Sequence, residues 1–223
     1  MAHPKSWADI SDFVVHFTKA TIKGSDYDNI ISICSSQVLL AQSPFGIAKN
    51  RAPEAHTQHA VCFTEIPLHL LGRIADRRKT RYGIGFSKKY VRERGALPVW
   101  YIEKDSPTHL AVEQLIKHAK DSDDAPADPI WRLTPLVDVP GEYGASVYRF
   151  EWEREWRHVG NMSFNEDAVA FLLIPENLHA AARAFFSDAR RENLGPAYLC
   201  PYIDPYWGKR RIERVLASGQ GGS

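Results

Sequence analysis

Segments with the residue pattern of β-strands alternate with helical segments at irregular intervals along this chain. Runs rich in β-branched and aromatic residues predict strands over residues 12–18, 60–64, 82–86, 97–102, 155–159 and 168–174. Apolar residues three and four positions apart predict helices over residues 27–40, 67–78, 107–120 and 175–194. A doubly wound parallel sheet requires a helix between successive strands, and the later strands lack that alternation. The order therefore predicts an α+β fold, with a mixed β-sheet and flanking helices.

Length and composition predict one soluble domain. The chain has 223 residues, which suits a single domain, and Ser218–Ser223 have the composition of a flexible tail or linker. The predicted domain is therefore residues 1–217, with a last strand and a basic tail within 197–215. The start of the sequence lacks a secretory signal pattern, and no apolar run approaches the roughly 20 residues of a membrane span. Three scattered cysteines are typical of a reducing compartment, so we expect a cytoplasmic location and no membrane partner.

The charges balance overall but are unevenly distributed. Lys and Arg total 28 against 27 Asp and Glu, and this excludes binding to nucleic acid or anionic membrane through bulk charge alone. Residues 73–94, however, contain nine cations, two acids and three interleaved aromatic residues. Nucleic acids are bound by such a mixture, although a solvated helix face is the more ordinary interpretation. Six of these cations form the candidate surface for a nucleic acid or another acceptor: Arg77, Arg78, Lys79, Arg81, Lys88 and Lys89.

The common nucleotide- and metal-binding motifs are missing from the sequence. There is no GxxxxGK[ST] phosphate loop, no GxGxxG fingerprint and no HExxH or CxxC pair. His56, His59 and Cys62 are close in sequence, but no matching second half of a zinc site follows. We interpret these histidines as loop residues and expect no metal.

The first predicted strand carries a histidine and a threonine with the same parity. Strand alternation places Val15 and Phe17 on one face and His16 and Thr18 on the other. His16 and Thr18 would then present hydrogen-bonding groups to one side. A satisfied core histidine is the alternative interpretation.

A second segment, residues 151–157, reads Glu-Trp-Glu-Arg-Glu-Trp-Arg. If it is extended throughout, its three glutamates and Arg157 share one face, and Trp152 and Trp156 can be buried on the other. The carboxylates of Glu153 and Glu155 are then suited to bind a sugar hydroxyl and stabilise oxocarbenium-like charge. The alternative is a salt-bridged surface strand.

A third segment, residues 61–67, contains Phe63 and Thr64. Phe63 is a candidate for ring stacking or simply for the core, and Thr64 is equally suited to cap the helix that Pro67 begins.

The order of these segments resembles the AbiGi-type abortive-infection family and its DUF2971 relatives, which are bacterial defence-associated proteins. The resemblance covers about residues 12–175, and its most specific parts are VCFTE at 61–65 and EREWR at 153–157. Those families in turn resemble the ADP-ribosyltransferase fold, a split mixed β-sheet whose cleft binds NAD. The resemblance therefore implies this fold and an enzyme that cleaves NAD, its co-substrate, and passes ADP-ribose to a nucleic acid or protein.

The resemblance also implies roles for individual residues. Glu155 would be the catalytic carboxylate, Glu153 would activate the acceptor, and His16 would hold the nicotinamide-side ribose. Arg157 would contact phosphate or pair with a glutamate, and Phe63, Tyr82 and Phe86 compete for the stacking role. The full NAD-binding set implied is His16, Phe17, Thr18, Phe63, Thr64, Tyr82 and Arg157.

A non-catalytic function remains the alternative. The resemblance includes members named antitoxins, and Cys62-Phe63-Thr64 replaces the Ser-Thr-Ser strand that is usual in the transferases. The chain would then be an antitoxin or regulatory module that binds a partner protein or DNA through its basic surface. A cognate toxin or antitoxin is the expected partner in either case.

Overall fold

The structure is a computed structural model that describes residues 10–219 except 23, 144, 145, 149 and 150, with the backbone alone at 143 and 146–148. Its strands are β1 (Phe13–Phe17), β2 (Val38–Leu39), β3 (Ser43–Pro44), β4 (His59–Thr64), β5 (Gly83–Ser87), β6 (Leu97–Pro98), β7 (Trp100–Tyr101), β8 (Val137–Asp138), β9 (Gly141–Tyr143), β10 (Ser146–Tyr148), β11 (Glu155–Val159), β12 (Met162–Ser163), β13 (Val169–Leu173) and β14 (Tyr202–Ile203). Its α-helices are α1 (Asp26–Ser36), α2 (Leu71–Arg78), α3 (Lys88–Glu93), α4 (Pro107–Lys120), α5 (Ile130–Leu133), α6 (His179–Arg191) and α7 (Lys209–Gly219).

The chain divides into two compact units. Unit 1 comprises the described parts of Met1–Val38, Glu65–Val91 and Ser163–Ser223, and unit 2 comprises Leu39–Thr64 and the described parts of Arg92–Met162. This division does not test the sequence prediction of one domain over residues 1–217, which stays a prediction. Within the described residues, no helix combines the length and the apolar character needed to cross a bilayer.

Unit 1 contains a mixed sheet in the order β14-β13-β5-β1. β5 is antiparallel to β1 and β13, whereas β13 and β14 are parallel. Gly85 on β5 lies opposite Phe171 on β13, and a Cβ at Gly85 would be 2.3 Å from the Phe171 ring. The core of unit 1 combines sheet residues such as Phe171 with Ile74 of α2 and Ile212 of α7. Both helices therefore pack against this sheet through their apolar faces.

Unit 2 contains an antiparallel sheet in the order β3-β4-β11-β6. A parallel pair, β7 with β8, and an antiparallel pair, β9 with β10, also lie in this unit. α4 and α5 contribute Ile116 and Trp131 to a core that also includes Val137 of β8. The mixed sheet and the helices together confirm the α+β class.

Several predicted elements are confirmed and others end at different residues. α4 has its predicted bounds and begins after Ser106, whose side chain accepts from the His109 N–H as an N-cap residue does. α1 ends at Ser36 rather than near residue 40, because Gln37 adopts a left-handed conformation. The predicted strand at 97–102 is divided into β6 and β7.

The predictions for α6 and the C-terminal segment need correction. The helical spacing over residues 175–194 predicts that Phe185 faces inward, but Phe185 is exposed and Phe186 is buried. Gly195 is the residue type that usually caps the end of a helix, but Asn193 takes the left-handed conformation after α6. The expected basic tail forms α7, which extends to Gly219, and residues 220–223 of the predicted tail lie outside the described residues.

Candidate functional site

The carboxylates singled out in the sequence lie in unit 2, where β4 and β11 are paired. Glu155 is opposite Thr64, Trp156 is opposite Phe63 and Arg157 is opposite Cys62. Strand alternation therefore directs Glu155 and Arg157 to the same face of the sheet. Both residues are buried, and Arg157 is fully so.

Arg157 binds Glu155 and Asp138 together. Its Nε donates to Glu155 Oε1 at 3.0 Å, and its Nη2 donates to Glu155 Oε2 at 3.1 Å and also to Asp138 Oδ2. Nη1 donates to the Pro135 carbonyl oxygen at 2.7 Å, and the guanidinium carbon lies 4.8 Å from the centre of the Phe45 ring. Burial lowers the pKa of the Arg157 guanidinium, but the charges of Glu155 and Asp138 outweigh that effect, and the pKa lies above its ordinary value. Arg157 is therefore a buried cation held by two carboxylates.

Two hydroxyl groups complete this cluster. Tyr101 on β7 donates to Glu155 Oε2 at 3.5 Å, and Thr64 on β4 donates to Glu153 Oε2 at 3.4 Å. Burial, followed by the charge of Glu155, raises the pKa of Tyr101 well above its ordinary value, so its hydroxyl remains a donor. We call these six residues the unit 2 cluster: Thr64, Tyr101, Asp138, Glu153, Glu155 and Arg157.

The segment before β11 differs from its prediction. Residues Glu151–Glu153 form a short 3-10 helix, and Arg154 has a positive φ of 47°. The extended conformation expected over 151–157 therefore begins only at Glu155. Trp156 is buried as expected, whereas Trp152 is exposed. Glu153 reaches the cluster from this helical turn rather than through strand parity.

The other predicted NAD-binding residues lie in unit 1. His16 and Phe17 on β1 are opposite Ile84 and Gly83 of β5. Phe17 belongs to the core cluster of this unit, and Thr18 is also buried. The structure thus places His16, Phe17, Thr18 and Tyr82 in one unit.

Thr18 and Tyr82 are in direct contact within unit 1. Thr18 donates from its backbone N–H to the Tyr82 carbonyl oxygen at 3.0 Å, and its hydroxyl lies 3.3 Å from the same atom. The remaining residues of the set, Phe63, Thr64 and Arg157, lie in unit 2. The roles assigned to all these residues in NAD binding stay predictions.

The predicted basic surface is smaller than its sequence implies. Lys88 Nζ binds Glu65 Oε1 at 3.0 Å, with both side chains largely buried, and Arg81 Nη2 binds Asp204 Oδ2 at 2.5 Å. Both cations therefore take part in ion pairs within unit 1. The other four predicted cations, Arg77, Arg78, Lys79 and Lys89, are exposed.

Sequence reasoning missed Tyr101 and Asp138, which complete the unit 2 cluster. Asp138 stands between two buried valines, Val137 and Val139, and a charged residue in such a position is a signal that could have been used. Tyr101 lies within a predicted strand, but nothing local indicates which carboxylate it would reach. Across the described residues, no group of three or more His, Cys, Asp or Glu side chains is arranged to hold a metal ion.

Comparison with known families identifies the class of protein. The sequence model of the family described as "Putative abortive phage resistance protein AbiGi, antitoxin" matches residues 32–193, which is well over half of the chain. The chain belongs to this AbiGi family of abortive phage resistance proteins. Searches of curated proteins and of solved structures found no match. The resemblance to the ADP-ribosyltransferase fold is therefore a proposal from sequence alone.

Proposed function

We propose that this chain is the antitoxin of an abortive-infection pair and acts by binding its cognate toxin, without a catalytic step of its own. The family description supports an antitoxin. The proposal that the chain has no catalytic step rests on the ion pair between Glu155 and Arg157. In this pair both carboxylate oxygens accept from one buried guanidinium. A carboxylate stabilises a developing positive charge less well when a fixed cation already offsets its own charge. The unit 2 cluster then acts as a buried structural contact.

The toxin-binding surface in this proposal is formed by α2 and α7 of unit 1. Both helices bury apolar residues in the same core, with Ile74 from α2 and Ile212 from α7. Their exposed residues are strongly basic: Arg73, Arg77 and Arg78 on α2, and Arg210 and Arg214 on α7. Such a surface is complementary to an acidic face of the toxin and would speed encounter with it. α7 thus adds cations to those predicted on α2.

Growth rescue tests this function. We would co-express the chain with its cognate toxin in a bacterial host and compare wild type with an Arg73→Glu/Arg77→Glu variant of α2. A Lys117→Glu/Lys120→Glu variant of α4 in unit 2 is the matched control, because it reverses two exposed cations on another helix. We expect rescue by wild type and the control and loss of rescue by the α2 variant at an unchanged Tm. Failure of wild type to rescue, or equal rescue by all three, would contradict the proposal.

A second candidate function is NAD-dependent ADP-ribosyl transfer, because the unit 2 cluster gathers two buried glutamates beside Thr64. Each carboxylate oxygen offers about two acceptor positions. Oε2 of Glu155 accepts from both Arg157 and Tyr101, whereas Oε1 accepts only from Arg157 among the described residues. Oε1 therefore keeps a position that fits a ribose hydroxyl of NAD. In this candidate Glu155 binds the ribose and stabilises the charge that develops there.

Labelled NAD separates the two functions. Transfer predicts NAD consumption and labelling of a nucleic acid or protein acceptor, and both are lost in Glu155→Gln. The antitoxin function predicts no NAD consumption and no NAD-dependent rise in Tm, since a bound ligand stabilises the folded state by mass action. Glu166→Gln is the matched control, because Glu166 is a glutamate of unit 1.

A further inference from the structure

Unit 1 contains a cavity whose lining includes Tyr82 of the predicted NAD-binding set and Lys79 and Arg81 of the predicted basic surface. It measures about 520 Å³ and lies between the end of α2, the residues before β5 and the turn before α6. A smaller apolar cavity of about 190 Å³ adjoins it, since Tyr82 and Leu178 line both. The larger volume falls within the roughly 300–1,000 Å³ that is usual for small-molecule sites.

One wall of the cavity is held by Asp204, which is buried. Its Oδ2 accepts from Arg81 Nη2 at 2.5 Å and from the Glu176 N–H at 2.9 Å. Its Oδ1 accepts from the Tyr206 N–H at 3.0 Å. A single carboxylate thus positions Arg81, Tyr206 and the start of the turn before α6.

A second part of the lining is held by Thr18, which is also buried. Its hydroxyl lies 3.0 Å from the Asp26 carbonyl oxygen and 3.3 Å from that of Tyr82. Asp26 and Tyr82 both line the cavity. Because part-buried hydrogen bonds hold both parts of the lining in place, a ligand would bind with little loss of conformational entropy there.

Arg81 lines the cavity, and its guanidinium has one donor without a partner among the described residues. The Nε atom of Arg81 is buried and has no hydrogen-bond partner among the described residues. Buried polar groups in folded proteins nearly always have a partner, and the preferred partner of a guanidinium N–H is a charged oxygen. Lys79 also lines the cavity, and its ammonium group makes no ion pair or hydrogen bond within the described residues. The lining also includes the carboxylates of Asp26 and Asp76. The two cations are therefore suited to an anionic group such as phosphate, and the carboxylates to hydroxyl groups beside it.

The adjoining cavity suits a flat ring. Tyr27 and Tyr82 form two of its walls, with ring centres 5.6 Å apart in an edge-to-face arrangement, and Leu178, Ala181 and Ala182 complete it. Aromatic and small apolar walls favour a planar ring over a charged or bulky group. Its volume holds a ring but not a whole nucleotide.

We propose that this pair of cavities binds a nucleoside 5′-monophosphate. The phosphate binds Arg81 and Lys79, the base lies against Tyr27 and Tyr82, and the ribose hydroxyls donate to Asp26 between them. The second carboxylate of the cavity, Asp76, already accepts from the Tyr206 hydroxyl at 2.5 Å. The proposal uses unit 1 alone and goes beyond the antitoxin function, so either can fail without the other.

Calorimetric titration of the full chain tests the proposal, with AMP as the probe. Adenosine, ribose 5-phosphate and inorganic phosphate form the comparison set. We expect AMP to bind at least about tenfold more tightly than each of them, because each lacks the base or the phosphate. No saturable binding of AMP up to millimolar concentration would overturn the proposal. Inorganic phosphate that binds as tightly as AMP would also overturn it, since the site would then recognise an anion alone.

Two variants locate the site. Ala181→Leu fills the smaller cavity and should abolish AMP binding, whereas Ala180→Leu changes the neighbouring exposed residue of α6, which lines neither cavity, and should not. Lys79→Asn retains a residue that tolerates the left-handed conformation at the end of α2. It should weaken AMP binding about tenfold and leave adenosine binding unchanged. Unchanged AMP binding in both Ala181→Leu and Lys79→Asn, at wild-type Tm, would refute the assignment.

Discussion

Glu155 and Arg157, two residues apart on β11, form a two-bonded ion pair in which each carboxylate oxygen accepts from a different guanidinium nitrogen. The distances are 3.0 and 3.1 Å, and the Arg157 side chain has no exposed surface. Asp138 is the second carboxylate on the same guanidinium. The residue that the family resemblance would make catalytic is thus also part of a buried charge cluster. Substitutions here must therefore be checked for folding before activity is interpreted.

Replacing Arg157 should destabilise the protein strongly. Arg157→Met leaves the carboxylates of Glu155 and Asp138 without their shared cation, and breaking a buried pair in this way costs about 3–5 kcal/mol. Urea unfolding at pH 7 measures the loss of unfolding free energy. Arg190→Met is the control, because Arg190 pairs with Glu166 at an exposed site, where a pair contributes at most about 1 kcal/mol. A loss below about 1 kcal/mol for Arg157→Met would contradict the structural role of the pair.

Gly85 should not tolerate a side chain. A Cβ at this position would lie 2.3–2.6 Å from three atoms of the Phe171 ring, which is fully buried. Gly85→Ala must displace that ring, and overpacking of this kind costs about 1–3 kcal/mol. Gly208→Ala is the matched control, because a Cβ there would meet nothing within 4 Å. Thermal unfolding should show a clearly lower Tm for the first variant only, and equal Tm values would show that the sheet does not require the glycine.

The helices and strands whose bounds the sequence predicts well are those with capping or turn residues close to the boundary. α4 has the predicted bounds because Ser106 caps it and Pro107 occupies its first turn. β11 likewise has the predicted bounds, since its strand-type residues are followed by Gly160 with a positive φ. In both cases the information lies within a few residues of the boundary.

The candidate cluster could be predicted only in part, because its partners are distant in sequence. The parity of Glu155 and Arg157 is visible along one strand, but Tyr101 and Asp138 come from β7 and β8 and meet it only in the folded unit. The turn at Arg154 was missed because alternating residues also fit an extended strand. The pairing of Lys88 with Glu65 likewise depends on tertiary structure, so a basic run in sequence overstated the exposed charge.

Glu113 should make the free energy of unfolding depend on pH in acidic solution. Its carboxylate receives hydrogen bonds of 2.6 and 2.8 Å from Arg51, and these bonds hold the pKa of Glu113 below its ordinary value of 4.5. A group whose pKa is lower in the folded state contributes stability above its unfolded pKa and loses it as the pH falls through the folded pKa. Both side chains are about one-third exposed, so the contribution is at most about 1 kcal/mol.

The measurement compares urea unfolding of wild type and Glu113→Gln at pH 7 and pH 3. We expect the variant to be less stable at pH 7. The difference should shrink at pH 3, because Glu113 binds a proton in the unfolded state below its ordinary pKa of 4.5. Glu103→Gln is the control, because Glu103 is an exposed glutamate and should give no difference at either pH. A difference that is equal or larger at pH 3 would rule out the Arg51 contact as its source.

The three cysteines should differ in their reactivity in the folded protein. Cys34 is fully buried, and burial raises its pKa far above the ordinary value. Burial also raises the pKa of Cys200 to about 12, so its reactive thiolate is scarce at pH 8. A disulfide-exchange reagent at that pH should therefore modify at most Cys62, which is partly exposed, and should reach all three thiols in urea. Cys62→Ser is the informative variant, because it should leave the folded protein without a fast-reacting thiol. A rapid reaction that persists in this variant would show either that Cys200, which is also partly exposed, reacts despite its raised pKa or that unit 1 opens around Cys34.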